Sequence, residues 1–263
     1  MKNKFGLSRS ISEKTKRIVR QRCGFGCIFC GNRIFDYEHV VDFSKVDIHD
    51  SDNICLLCSE HHAKVTRKII PKEQVIAQNK NPYSIKRGYA QEKIESYKPI
   101  DFQIGRIYLL NPKEILNIAG DSLLSVDCPV DEPPLVSGKI FNSHGDLVVE
   151  IEKNEIKYRL SNWDIDYIGS KIIFRDSLGS IPLRLSVSSD SFIIDKINMK
   201  YKDIHIFTES KNGKLIINYK AKINIYFPNS VIQTGGPIKI IEDQLILENG
   251  AFMIMGEKGM KFL

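Results

Sequence analysis

The sequence predicts an α+β chain in which a small zinc-stapled module precedes a mostly antiparallel β domain. Three observations predict it. Five of the six cysteines crowd into residues 23–58. A short basic helix signal stands just before them. From residue 101 onward the texture changes to many short β-rich runs separated by turn residues.

The elements follow in chain order. Ser10 or Ser12 can cap a helix over Glu13–Arg22, where Ile11, Ile18 and Val19 form a narrow apolar stripe among Lys14, Lys16, Arg17, Arg20 and Arg22. GFGCIFCGN then sets three glycines around the first cysteine pair, as a tight knuckle-like turn requires where backbone must approach a metal. Residues 35–43 mix aromatic and β-branched side chains and predict a strand carrying Glu38 and His39. Residues 44–52 form a polar loop, NICLLC a short apolar strand or turn, and SEHHAKVTRKI a helix with His61 and His62 in its first turn. Further helix is expected at residues 72–79 and near residues 89–97, broken at Asn81-Pro82, within a basic linker.

These signals divide the chain into a module over residues 1–70, a linker over 71–100 and a β-rich domain over 101–263. The β runs include FQIGRIYLL, DLVVEIE, KIIFRD, KLIINYKAKINIYF and IKIIEDQLIL. Turns are expected at Ser143-His144-Gly145, Ser177-Leu178-Gly179, Lys211-Asn212-Gly213 and Thr234-Gly235-Gly236. Such spacing predicts a sandwich, barrel or other mostly antiparallel β fold, with no fixed-period repeat.

Composition agrees with two domains in a chain of 263 residues. A hydrophobic fraction of 42% with 27% charged residues is ordinary for a folded chain and excludes the polar composition of disordered segments. No apolar run approaches the roughly eighteen residues of a membrane span, and the first residues lack the apolar stretch of a secretory signal. A cytoplasmic protein with no membrane partner is expected. In a reducing compartment, clustered cysteines favour metal over disulfides. The net charge of +6 is uneven: residues 1–98 carry 19 Lys+Arg against 11 Asp+Glu, net +8, and the remaining 19 and 21 give −2. A basic front suits a polyanionic partner, because each phosphate neutralised releases counterions.

Cys27-x2-Cys30 and Cys58-x2-His61 supply three thiolates and an imidazole, a complete tetrahedral set for structural zinc. So small a module buries too little apolar surface to fold well alone, and a metal contributes the missing folding free energy. Cys55 is an alternative ligand, although its apolar strand favours a packed thiol; Cys23 is unassigned. Two intervening residues after Cys58 favour His61 over His62 on zinc, and the adjacent pair keeps both assignments open. His49, His144 and His205 have no partners at recognisable spacing and read as surface or packing residues. Trp163 reads as core, and Cys128 as a lone thiol. The β domain shows no nucleophile elbow, phosphate loop or calcium loop.

The stretch CGFGCIFCGNRIFDYEHVVDF followed by DNICLLCSEHHAKVT resembles the HNH endonuclease family. The shared pattern is a cysteine pair, an acidic residue before His, a later Asn, and a second ligand pair followed directly by His and then, two residues on, Lys. The resemblance covers residues 23–66, or from residue 13 with the basic helix, and leaves the β-rich part untouched. It implies a ββα-metal fold and hydrolysis of phosphodiester bonds in DNA, or in RNA, in a restriction or phage-defence setting. It makes His39 the general base, Glu38 and His62 ligands of a catalytic Mg2+, Mn2+ or other divalent ion, and Asn53 the residue that orients loop and imidazole. Lys64, Arg67 and Lys68 would contact phosphate, with Arg20 and Arg22 on the basic helix. Three departures stand against the pattern: Glu38 where Asp is common, His61 where Cys is usual, and Asp42 near the place of a loop Pro. The competing expectation is a zinc-stabilised module that binds nucleic acid or a partner without turnover. On either reading the β domain would serve specificity, regulation or homo-oligomerisation.

Overall fold

The computed structural model describes residues 2–255 except 96–100, 106, 111–113, 119–120, 130–131, 189, 210–214, 220–222, 228–229, 234–237, 242–243 and 248–251. It consists of mostly antiparallel sheets with few helices. The chain divides into two compact units, one of Met1–Glu92 with Tyr158–Ile165, the other of Lys93–Lys157 with Asp166–Leu263. No helix among the described residues is long and apolar enough to cross a membrane.

The first unit opens with helix α1, Glu13–Arg22. Ser12 caps it, its hydroxyl accepting from the Thr15 amide at 3.1 Å and so satisfying one of the orphan donors of the first turn. Strands β1 (Asp36–His39) and β2 (Ile54–Leu57) pair antiparallel, with Glu38 opposite Cys55 and His39 opposite Ile54. Helix α2 (Ser59–Thr66) follows β2 directly. All four residues of β2 are buried, Cys55 among them, and the core gathers Val19, Cys23, Ile28, Val40 and Val75 around them. Cys55 and Cys23 are thus packed thiols.

The knuckle closes through backbone bonds from Cys27 N to Asn32 O (2.9 Å) and from Gly31 N to Cys27 O (2.8 Å). The chain crosses itself so closely that a Cβ on Gly26 would lie 2.4 Å from the Gly31 carbonyl oxygen, and Gly31 itself has φ +76°. No other residue type fits both places.

Three local expectations need correction. The strand expected over residues 35–43 ends at His39: Val40 N still bonds in register to Asn53 O, but the Val41 amide bonds to the Asn53 side chain and the chain turns into a short 3-10 segment at Phe43–Lys45. The helix expected near residues 89–97 lies earlier: α4 is Tyr83–Arg87, stopped by Gly88 at φ 77°, and Tyr89–Lys93 is strand β3. The stretch expected to be a linker is bonded to the knuckle, since Gln78 Nε2 on α3 (Lys72–Lys80) and the Tyr83 amide both donate to Ile28 O at 2.8 Å.

Arg20 and Asp164 are 4% and 3% exposed and form a paired, two-point ion pair at 2.9 and 2.7 Å inside this unit. Nearby, the Arg17 guanidinium lies 4.1 Å over the half-buried Trp163 ring, so Trp163 serves as a stacking plate rather than core. Breaking a buried pair strands a charge without its partner. We expect Arg20→Ala to destabilise the unit by about 3–5 kcal/mol, read as a lower midpoint in urea unfolding, and not to act through affinity for nucleic acid.

In the second unit some strands, such as Glu155–Arg159 and Ile204–Thr208, alternate buried and more exposed residues, while Lys171–Arg175 buries three in succession. Glu114–Ile118, Asp121–Asp127, Leu135–Phe141 and Leu147–Glu152 pair antiparallel in succession. A second run joins Lys171–Arg175, Leu183–Val187, Ser191–Tyr201, Ile204–Thr208 and Leu215–Tyr219 in the same way. Parallel pairing also occurs, as where Asp101–Ile104 lies on Ser191–Tyr201. Asp195 is the extra residue of a bulge, which shifts the alternation so that Ile194 and Ile197 both stay inside. The run FQIGRIYLL folds back at Gly105 into two strands, Asp101–Ile104 and Ile107–Leu110. Turns form as expected at 143–145 and 177–179, while those at 211–213 and 234–236 lie outside the described residues.

Candidate functional site

The two cysteine-containing segments meet where the knuckle faces the start of α2. Cys30 Sγ lies 3.8 Å from Cys58 Sγ, and His61 Nδ1 lies 3.2 Å from Cys58 Sγ and 3.6 Å from Cys27 Sγ. All four ligand atoms fall within 4.8 Å of one another. Bonds of about 2.3 Å to sulfur and 2.0 Å to nitrogen at tetrahedral angles require S···S near 3.8 Å and S···N near 3.6 Å. The three separations of 3.2–3.8 Å are close to these, and the group can hold a metal such as zinc. Phe29 stacks on His61 at 5.0 Å and 11°, fixing the imidazole plane. Burial, then the neighbouring Cys27 and Cys58 charges, push the Cys30 thiol up to about 12, and burial raises Cys27 as well. Thiolates packed so closely need a cation between them.

The open choice between the two histidines resolves here. Successive helix residues are rotated by about 100°, so His61 turns to the thiols while His62 turns to β1. His62 Nε2 lies 3.2 Å from Glu38 Oε2, both side chains being partly exposed. Two donors on one octahedral ion at about 2.1 Å sit some 3 Å apart in adjacent positions, so the pair also matches a shared cation.

His39, next to Glu38 on β1, opens into a cavity of about 730 Å³ lined by Lys2, Arg9, Glu38, His39, Phe43 and His62, among others. Its Nε2 lies 3.2 Å from Nδ1 of His49, whose Nε2 lies 2.7 Å from the Ser8 carbonyl oxygen. Burial first, then the charges of His49, Arg9 and Lys72, hold the His39 imidazole below its ordinary 6.5. Asn53 does not bond to the imidazole; its Oδ1 accepts from the Val41 amide at 2.7 Å, tying down the backbone two residues beyond His39. Its role here is the loop.

The predicted phosphate contacts scatter. Arg20 is buried against Asp164, and Arg22 donates to Asn79 Oδ1 at 2.9 Å and to the Ser51 carbonyl at 2.9 Å, so both hold the unit together instead of facing a ligand. Lys64 pairs with Glu60 at 2.6 Å on the exposed face of α2. Arg67 and Lys68 are exposed and have no ion-pair partner among the described residues. The cations that do line the cavity are Lys2, Lys4 and Arg9. Asn3 brings them there: its Nδ2 donates to the carbonyls of Phe43 and Val46 at 2.7 Å, and its Oδ1 accepts from the amides of Phe5 and Leu7 at 3.0 Å. Neither Arg9 nor His49 carried a sequence signal, because their proximity to His39 arises only when the first twelve residues fold over the loop after β1.

No known protein family, curated protein or solved structure matches the chain. What the residues themselves define is a small ββα unit with a Cys3His group that can hold a metal such as zinc.

Proposed function

We propose that the first unit is a metal-dependent endonuclease of the HNH type that hydrolyses phosphodiester bonds in DNA. One observation carries the reading: Glu38 and His62 meet at 3.2 Å in the cavity that His39 also lines, beside a separate and complete Cys3His set. A structural metal and a second pair of hard donors next to an unliganded imidazole are the parts that phosphodiester hydrolysis needs. A divalent ion such as Mg2+ or Mn2+, held by Glu38 and His62, would stabilise charge on the phosphate and on the departing 3′ oxygen. His39 takes the proton of the attacking water. Asn53 keeps the backbone after His39 in place, and Lys2 and Arg9 face the phosphates.

The test is incubation of the zinc-loaded full chain with supercoiled plasmid and with RNA, in magnesium, in manganese and with neither. Nicked or linear plasmid appearing only with the divalent ion is expected. No cleavage of either polymer with any divalent ion would sink the reading in favour of a binding module without turnover.

Two expectations follow from the electrostatics. Because His39 is held below 6.5, its neutral, proton-accepting form persists as the pH falls through that value. The acid limb of kcat/KM should therefore lie below pH 6.5, and a limb above it would show that another group sets the profile. Arg9→Ala should weaken DNA binding at all sequences alike and reduce the slope of log K against log salt by about 1, as measured by fluorescence anisotropy. An unchanged slope would remove Arg9 from the interface.

A further inference from the structure

We propose that His49 is a positioning residue that fixes His39 in the tautomer with its proton on Nε2, leaving Nδ1 free to accept a proton. The inference rests on the nuclease reading for its consequence, but its geometry is independent of it. A carbonyl oxygen only accepts, so the 2.7 Å contact with Ser8 requires His49 Nε2 to carry the hydrogen. In the neutral ring Nδ1 of His49 is then a bare lone pair. That lone pair sits 3.2 Å from His39 Nε2, which must therefore donate to it. The chain of donors runs in one direction only, from His39 to His49 to Ser8. Among the described residues, no protein group bonds to His39 Nδ1.

The surroundings hold this relay in register. The Phe43 ring stacks on His49 at 6.0 Å and 14° and leans on His39 at 5.3 Å and 55°, wedging both imidazoles. Asn3 clamps the two backbone segments, since it bonds to the carbonyls of Phe43 and Val46 on one side and to the Leu7 amide beside Ser8 on the other. During hydrolysis the water proton passes to His39 Nδ1 while the Nε2 hydrogen stays where it is, donated to His49. The hydroxide oxygen forms its bond to phosphorus as the bond to the 3′ oxygen breaks; the 3′ oxygen leaves with the electron pair and takes a proton from solvent water, and His39 returns the proton it accepted to solvent. His49 touches no reacting atom; it decides which nitrogen of His39 is available, the same service a carbonyl or carboxylate gives other catalytic and metal-binding imidazoles.

The experiment uses full-length chain labelled with 15N at histidine, comparing wild type, His49→Phe and His49→Gln by two-bond 1H–15N correlation and by cleavage. Phe keeps a ring against Phe43 and removes the acceptor. Gln keeps an amide oxygen to accept and an amide N–H to donate. Wild type should show His39 protonated at Nε2 and bare at Nδ1, His49→Phe should lose that preference, and His49→Gln should retain it. Turnover in His49→Phe should fall on the order of 10–100-fold, with KM and zinc content unchanged, and His49→Gln should recover part of it. His39 protonated at Nδ1 in wild type, or a tautomer and turnover unaffected by His49→Phe, would overturn the proposal. If His49→Phe does not fold, loss of the Nε2–H tautomer in a folded His49→Gln would overturn it, and its retention with near-normal turnover would support it. A wild-type chain that cuts nothing would sink the nuclease reading, and the nitrogen spectrum would still decide the tautomer.

Discussion

Stripping the metal from Cys27, Cys30, Cys58 and His61 is expected to unfold the front of the first unit. These four side chains join the knuckle to the start of α2, and between them lies a core built on one four-residue strand, Ile54–Leu57. Structural zinc contributes about 10–16 kcal/mol of apparent binding free energy in isolated zinc modules, more than a core of this size supplies. Cys58→Ser removes the ligand that sits at the head of α2 and should act like chelation. The Cys27 and Cys30 thiols must shed their protons for the metal to bind, and desolvation makes that loss harder, so affinity falls as the pH falls. Metal analysis should find a single zinc per chain. Thermal unfolding with and without a chelator should show an early transition that appears on zinc removal and returns to normal on zinc readdition. An unchanged melting curve would mean that apolar packing alone holds the knuckle.

His39→Ala is expected to lower the rate of DNA cleavage by about 10²–10⁴-fold, with zinc content and DNA affinity preserved. The imidazole lies on the cavity wall and not in the core, so its removal opens space without stranding a buried partner. What is lost is a base held neutral near pH 7 beside Glu38 and His62. Single-turnover cleavage at saturating enzyme isolates this step from binding. A loss smaller than tenfold would place the proton acceptor elsewhere.

Much of the first unit was legible because its chemistry is local. Cys27-x2-Cys30 and Cys58-x2-His61 declare a metal group by spacing alone, and Ser12 before an amphipathic basic stretch declares α1 and its cap. Spacing after Cys58 favoured His61 over His62 for the metal group but left both open; the helical rotation between them separates the two. Strand ends were less readable. Val40–Phe43 has β propensity, but the Asn53 side chain takes the Val41 amide out of the ladder, and that depends on a residue over ten positions away. Arg20 looked like a phosphate contact because its partner, Asp164, is 144 residues distant and belongs to a segment that reads as part of the β domain. His49 was invisible for the same reason on a smaller scale: its meaning comes from a fold-back of the first residues onto the loop after β1. In the second unit, KIIFRD and DLVVEIE announce themselves by their runs of β-branched and aromatic residues, whereas Asp121–Asp127 and Leu135–Phe141 are diluted by Ser, Asp and Gly and stay hidden.

The most direct test of the central claim is plasmid cleavage across a manganese titration by wild type and His62→Ala at equal zinc content. His61 belongs to the Cys3His group and His62 does not, so the variant should keep its zinc and its fold. The account predicts nicked and linear plasmid that saturates with manganese for wild type, and a loss of cutting in His62→Ala. Equal cutting by both proteins would contradict it.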